Sequence, residues 1–421
     1  MAFIKTDLTI IYCDSRRRDS TVAILLQELL KQRGQLSFVA SRRNFSKILK
    51  LATPSNIVMI GQINIVYDLV YDGKILKERF RDTNIYFYPS EGYATDNEYH
   101  MMYPGRFNYR DTKKIFFWGR ESLEWVKRHL DVAPETLDNT GYPRTRMARV
   151  YAALRGPEKV PKIGIVGRFA MLNDLYGVLP MEYVVTEFAL AKEQYKGAMV
   201  SRLHVESETI ATILRAVDFI MKNTDYRVSM RPHPNEAPAS YAGLKKLYGD
   251  RFEVSDEVDV ADWLSGCTKI MGLASSTYID ASLIDVPVIC LDRVSGVVDQ
   301  TMAYEPALRL IYETAYLPAD FDELTALVAG DIGPKRSPVF AELIESNFTG
   351  EHADPIRHVA DSIAHIPARP TTALVKLAIE TADRLLVARD RLRKSTALDF
   401  EYSAAFHGRN RAFINKYLDG K

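Results

Sequence analysis

Short apolar, β-branched runs alternate along the first half of the chain with stretches whose apolar residues recur at helical spacing. Leu8-Thr9-Ile10-Ile11-Tyr12 reads as a buried strand, and Ser20 as the cap of a helix that carries Ile24, Leu25, Leu29 and Leu30. Residues 37–40 predict a second strand, followed by a polar helix over 45–51. The runs 57–61, 85–88 and 115–118 continue the series, the last leading through Gly119 into a helix over 121–129. Repeated strand–helix alternation of this kind predicts a parallel, doubly wound sheet.

Thr140-Gly141-Tyr142-Pro143-Arg144 breaks the pattern, a helix is predicted over 147–154, and Arg155-Gly156-Pro157 reads as a linker. A second series opens with Lys162-Ile163-Gly164-Ile165-Val166-Gly167. It continues with a helix over 208–222, a strand over 226–230 and a helix over 241–247, then a helix over 260–264 and a strand over 269–272. A helix over 277–284 and a strand over 286–291 close it. Beyond about Pro334 strand signals stop and helices are expected, including one over 371–394 with Leu374, Leu377, Ala378, Leu385 and Leu386 on its apolar side. The expected organisation is α/β: domains over 1–156 and 157–334, both Rossmann-like and facing a cleft, with a helical extension over 335–421.

Composition narrows the partners. The chain has 421 residues, 47% of them hydrophobic, as in an ordinary globular protein. Its 55 Lys and Arg against 54 Asp and Glu give a net charge of +1, which supplies no general drive toward nucleic acid. Cys13, Cys267 and Cys290 are odd in number and far apart, as expected in a reducing compartment. With no apolar run near 20 residues and no signal-peptide core, the expectation is a cytoplasmic protein, with any membrane contact peripheral on the inner face. Arg389, Arg391, Arg393 and Lys394 end the long tail helix, either as cations at its negative pole or as a patch for anionic lipid.

Four places carry candidate chemistry. In Arg231-Pro232-His233-Pro234-Asn235-Glu236 a strand runs out into two prolines that hold one histidine in a fixed direction, at the strand end where open α/β sheets bind ligands. Arg231 and His233 make a cationic point suited to a phosphate. Gly272-Leu273-Ala274-Ser275-Ser276-Thr277 follows a strand and opens a helix, offering hydroxyl and backbone donors to an anion beyond what capping requires. Pro89-Ser90-Glu91-Gly92 puts a carboxylate at a strand end, where it could take a proton or attack an anomeric carbon. Gly167-Arg168-Phe169 could bring backbone to a ligand and aim a guanidinium at a carboxylate or phosphate. No glycine-rich phosphate loop, paired-cysteine zinc pattern or nucleophile elbow occurs, and no two histidines share a metal-binding helical spacing. Asp320-Phe321-Asp322 reads as an N-cap.

Together these residues resemble bacterial surface-carbohydrate biosynthesis enzymes of the GT-B glycosyltransferase fold, across about residues 55–295. The relatives include polysialyltransferases and Kdo transferases of capsule and O-antigen synthesis, which use CMP-activated 2-keto acid sugars. His233-Pro234 and Ser275-Ser276 match that family's His-Pro and serine motifs, and Ser90-Glu91-Gly92 matches its acidic motif in the second and third positions only. The resemblance implies a first domain that receives the acceptor and a second that binds the donor. It implies Glu91, His233 and Asp174 as candidate catalytic residues. The donor would be held by Gly167, Arg168, Arg231, His233, Pro234, Glu236, Ser275, Ser276, Thr277 and Asp280, with no metal and no cofactor. The partners implied are a CMP-sugar and a polysaccharide, lipopolysaccharide or other lipid-linked glycan acceptor. The Arg-Pro-His-Pro form is also similar to glycerophosphotransferases of teichoic acid synthesis, which keeps a CDP-polyol donor open, as is a non-catalytic glycan- or nucleotide-binding role.

Overall fold

The computed structural model describes residues 4–41, 45, 48–49, 52–61, 82–103, 109, 112–155, 161–191, 193–366, 374–378, 380–381 and 404–419. The chain forms two compact units, one made of Met1–Arg146 with Ile344–Lys421 and the other of Met147–Leu343.

The first unit is built on a parallel sheet of β1 (Ile4–Cys13), β2 (Ser37–Ser41), β3 (Ala52–Gly61), β4 (Asn84–Pro89), β5 (Lys114–Phe117) and β6 (Leu137–Asn139). Its strand order is β2-β1-β3-β4-β5-β6. Continuous apolar runs such as Ile10, Ile11 and Tyr12 are fully buried because helices cover both faces of such a sheet. The first helix, Arg16–Gln32, starts at Ser15 and not at Ser20, which is itself buried inside it. The second unit repeats the design with β7 (Lys162–Val166), β8 (Arg227–Arg231), β9 (Phe252–Val254), β10 (Lys269–Gly272), β11 (Val288–Cys290) and β12 (Ala315–Tyr316), in the order β12-β11-β10-β7-β8-β9. The helix expected over 208–222 begins fifteen residues earlier and spans Glu193–Asn223. Asp320 is an N-cap, its carboxylate accepting the Glu323 N–H at 2.9 Å.

The divisions expected at 156/157 and 334/335 are redrawn by the packing. One boundary falls within the helix Arg144–Arg155 and the other within the helix Pro338–Phe348. The tail is not separate, because its polar groups complete those of the first sheet. The Ala364 carbonyl accepts Asn56 Nδ2 at 3.1 Å and the Ala364 N–H donates to Tyr86 Oη at 3.0 Å. The Glu351 N–H donates to the Asn139 carbonyl at 2.9 Å, and Arg146 reaches both Asp354 and, at 2.6 Å, the Tyr417 carbonyl. Gly119 and Gly350 sit where a Cβ would run into the Asn347 and Gly141 backbones, so glycine is required for that approach. The helix expected over 45–51 and the basic end of the one over 371–394 lie largely outside the described residues.

Candidate functional site

In the second unit the chain runs from β7 outward through β8 and β9, then returns to the other side of β7 for β10, β11 and β12. The strand order therefore reverses between β7 and β10, and a ligand in an open parallel sheet sits at the carboxyl end of such a reversal. The loops that leave β7, β8 and β10 there carry Gly167-Arg168, Pro232 to Glu236, and Leu273 to Ser276.

Gly167 donates its N–H to the Arg231 carbonyl at 2.8 Å, and a Cβ on it would stand 2.8 Å from that oxygen and 3.0 Å from Glu236 Oε1. The β7 loop can lie against the β8 loop only because this residue is glycine. Glu236 holds the two together. Its fully buried carboxylate accepts the N–H groups of Phe169 at 2.8 Å and His233 at 3.0 Å through Oε1, and the Tyr241 hydroxyl at 2.5 Å through Oε2. Burial pushes its pKa up, against the opposing pull of Tyr241 and the two N–H donors. A second buried carboxylate, Glu206, accepts Met171 N–H at 2.8 Å and Leu172 N–H at 3.2 Å and pairs with Arg202. Its pKa is likewise raised by burial. Sequence reasoning missed Glu206. The only signal was a carboxylate on the buried side of a long helix.

His233 is half-buried and its Nδ1 accepts the Asn235 N–H at 3.2 Å. The neutral ring then carries its proton on Nε2, which makes that nitrogen a donor. Ser275 Oγ accepts the Thr277 N–H at 3.2 Å and so caps the short helix Thr277–Ser282. Ser276 is exposed and makes no capping bond, which sets its hydroxyl apart from that of Ser275.

Several predicted ligand residues are occupied by the fold itself. Arg231 donates to the carbonyls of Glu257 at 2.8 Å and Val258 at 3.1 Å and lies over the Trp263 ring, so its charge braces the loop after β9. Arg168 binds the Ala274 carbonyl and the Glu305 carboxylate, which links the β7 and β10 loops and compensates its charge within the unit. Asp174 accepts the N–H groups of Tyr176 at 2.8 Å and Val178 at 3.2 Å and shapes its own turn, which pairs with the strip at Glu236. Asp280 is buried in the helix behind Ser276. Of the residues expected to touch a donor, the loops present His233, Pro234, Ser275, Ser276 and Thr277 at the surface, on a frame made by Gly167, Arg168, Arg231 and Glu236.

Glu91 belongs to the first unit, after β4, and pairs with Arg18 at 2.9 Å while remaining 41% exposed. Arg18 also pairs with Asp14 and Asp19, and its carbonyl accepts Arg144 Nη2 at 2.5 Å. Burial raises the Asp19 pKa, opposed by Arg18 and Arg144. The loop after β1, the start of the helix Arg16–Gln32 and the turn after β6 thus form a charged cluster around Glu91. The sequence offered it only as an Asp-Ser-Arg-Arg-Arg run at a strand end.

No protein-family model matches the chain, and no curated protein matches it in sequence. Solved structures do. The chain superposes on the wall teichoic acid polymerase TagF. The TM-score is 0.51 at 10% identity, over 89% of this chain and 90% of that one. A TagF variant soaked with CDPG gives 0.50 at 10% identity, over 90% of each chain. A UDP co-structure of S. aureus MnaA aligns at a TM-score of 0.44 and 12% identity, over 86% of this chain and 99% of that one. At these identities the likeness concerns the fold: two parallel six-stranded α/β sheets with helices and a helical C-terminal portion, the GT-B class expected from the sequence.

Proposed function

We propose that this chain is a transferase of bacterial surface-polymer synthesis that moves a sugar from a cytidine-nucleotide donor to a glycan or lipid-linked glycan acceptor. The observation that carries the reading is the convergence of the His233 loop and the Ser275-Ser276 loop at the strand-order reversal, on a frame fixed by Glu236. Negative charge develops on the leaving phosphate during transfer, and fixed donors aimed at it lower the barrier. His233 Nε2–H and the Ser276 hydroxyl are the proposed donors. The carboxylates of this region are engaged by the fold: Asp174, Glu206, Glu236 and Asp292 accept backbone N–H groups, and Glu305 pairs with Arg168. The proposed transfer therefore places charge stabilisation on these donors, without a metal or cofactor. Glu91 is the proposed general base for the acceptor hydroxyl, with Arg18 holding its carboxylate in one orientation.

Within that reading the donor is a CMP-activated 2-keto acid sugar such as Kdo or a sialic-acid-like sugar. A specific observation favours a second donor, a CDP-polyol transferred as its phosphate. Arg168, the residue expected to bind a sugar carboxylate, is already paired with Glu305, and the superposed TagF is a wall teichoic acid polymerase that was soaked with CDPG. Melting curves with CMP, CDP and UDP test the reading. A ligand that binds the folded state raises Tm by mass action, about 2.7 kcal/mol at a hundredfold excess over Kd. CMP or CDP is expected to raise Tm well above UDP; CMP is the leaving nucleotide with either donor, so a shift with CDP beyond that with CMP points to the CDP-polyol and its absence to the CMP-sugar. Equal shifts with all three would overturn the cytidine assignment.

Glu91→Gln is expected to leave CMP affinity by calorimetry nearly unchanged and to slow transfer about a hundredfold, the loss typical of a general base. Unchanged turnover in this variant would remove Glu91 from the reaction. Among the described residues no helix is long and apolar enough to cross a membrane. Tyr176, Leu179, Met181, Val185 and Leu190 expose apolar surface in and beside the helix Pro180–Leu190, which supports peripheral contact with a membrane that holds a lipid-linked acceptor.

A further inference from the structure

We propose that Asp138, His352 and His358 bind one divalent transition-metal ion of the zinc class, which fastens the returning C-terminal segment to the edge of the first sheet. Asp138 lies in β6, His352 follows the helix Pro338–Phe348, and His358 lies in the helix Pro355–Ser362. All three belong to the first unit, so this site is separate from the His233 loop of the second.

One ligand atom from each residue falls within 4.8 Å of the others. His358 Nε2 is 3.1 Å from each Asp138 carboxylate oxygen, and His352 Nε2 is 4.0 Å from Oδ1. A tetrahedral ion with bonds of about 2.0–2.2 Å sets its ligand atoms about 3.3–3.5 Å apart, so His352 must close on the carboxylate by roughly half an ångström or more. The two imidazoles stack with centroids 3.3 Å apart at 11° and both Nε2 atoms lie beside the same carboxylate, so an ion held in the plane of both rings requires them to turn out of this stack.

The surroundings suit an ion as well. Lys114 Nζ lies 3.3 Å from Asp138 Oδ2, which leaves Oδ1 to coordinate while the ammonium orients the carboxylate from outside. Asp138 is only 10% exposed, while a cavity of about 490 Å³ lined by Asp138, His352, Glu351 and Lys114 gives a path for the ion and room for a water as fourth ligand. The cluster Asp96, His100 and His129 lacks these features, since all three residues are exposed and the Asp96 carboxylate already accepts the Trp125 indole N–H at 2.6 Å. The sequence hides the chosen site because the aspartate and the histidines are more than two hundred positions apart and the histidines are not spaced as helical neighbours.

The test uses full-length, tag-free protein stripped with a chelator and titrated with ZnSO4 by calorimetry and with CoCl2 by visible absorption. One equivalent of zinc is expected to bind and to raise Tm by about 5 °C. Cobalt is expected to give the intense bands of a four-coordinate ion. His352→Gln and His358→Gln should each weaken zinc binding by about a hundredfold or more, with metal-free melting near that of the parent. Should a variant fold poorly, X-ray absorption of the zinc-loaded parent decides the matter, with two imidazole nitrogens and oxygen donors expected about 2.0–2.2 Å from the ion and a sulfur- or oxygen-only shell overturning the site. Failure to bind one equivalent, or binding that survives both substitutions together, would overturn the site.

Discussion

His233→Ala is expected to lower transfer by about 10²–10³, the usual cost of removing one donor to transition-state charge, with Tm nearly unchanged. The fold should survive because the bond that anchors this residue runs from its main-chain N–H to Glu236 Oε1 and does not involve the ring. The imidazole meets the fold through Nδ1, which accepts the Asn235 N–H at 3.2 Å. His233→Asn preserves a side-chain acceptor near that N–H but not a donor at the Nε2 position, so it should be as slow as alanine. Product formation and melting measured on one preparation check both expectations. A folded alanine variant that turns over at the parental rate would remove His233 from the chemistry.

Glu236→Leu is expected to abolish activity and to cost stability on the scale of the whole unit. Leucine would leave the Phe169 N–H, the His233 N–H and the Tyr241 hydroxyl buried without their acceptor. Each orphaned donor costs about 1–3 kcal/mol, against a usual total stability of about 5–15 kcal/mol. Glu236→Gln keeps an oxygen for the two N–H groups and should fold. It also isolates a pH effect. Burial holds the carboxyl pKa above its unfolded value of about 4.3, so the folded state keeps a proton that the unfolded state has lost. The stability linked to that proton is fully present below about pH 4.3 and is lost as pH rises through the higher folded value. Tm followed over that window should fall less with rising pH in Glu236→Gln than in the parent. Identical slopes would mean that the carboxyl is not held up by its burial.

Much of the fold was legible because the signals were local. Runs such as Ile57 to Ile60 and Ile115 to Phe117 are apolar on both faces, as buried parallel strands require, and they lie inside β3 and β5. β6, β9 and β12 were missed because they are only two or three residues long and partly exposed, so sequence offers no period to read. Ser20 misled as a cap, since a serine inside a helix can be buried against its neighbours while Ser15, a turn earlier, begins the helix.

The sequence by itself determined the alternation of strands and helices, hence two parallel sheets, and it marked the strand ends where His233, Ser275 and Glu91 stand. Those are properties of residues close in the chain: β-branched runs, a histidine between prolines, hydroxyls ahead of a helix. Only the tertiary structure decided what the charged residues do. Arg231, Arg168 and Glu236 read as donor ligands and Asp174 as a candidate catalytic group, yet each meets a backbone partner supplied by folding, and a buried charge is stable only with such partners. The same holds for the tail, whose place in the first unit rests on hydrogen bonds such as Asn56 to Ala364, 308 positions apart. Distance along the chain says nothing about such pairs, because the strand order and packing that bring them together are properties of the folded whole.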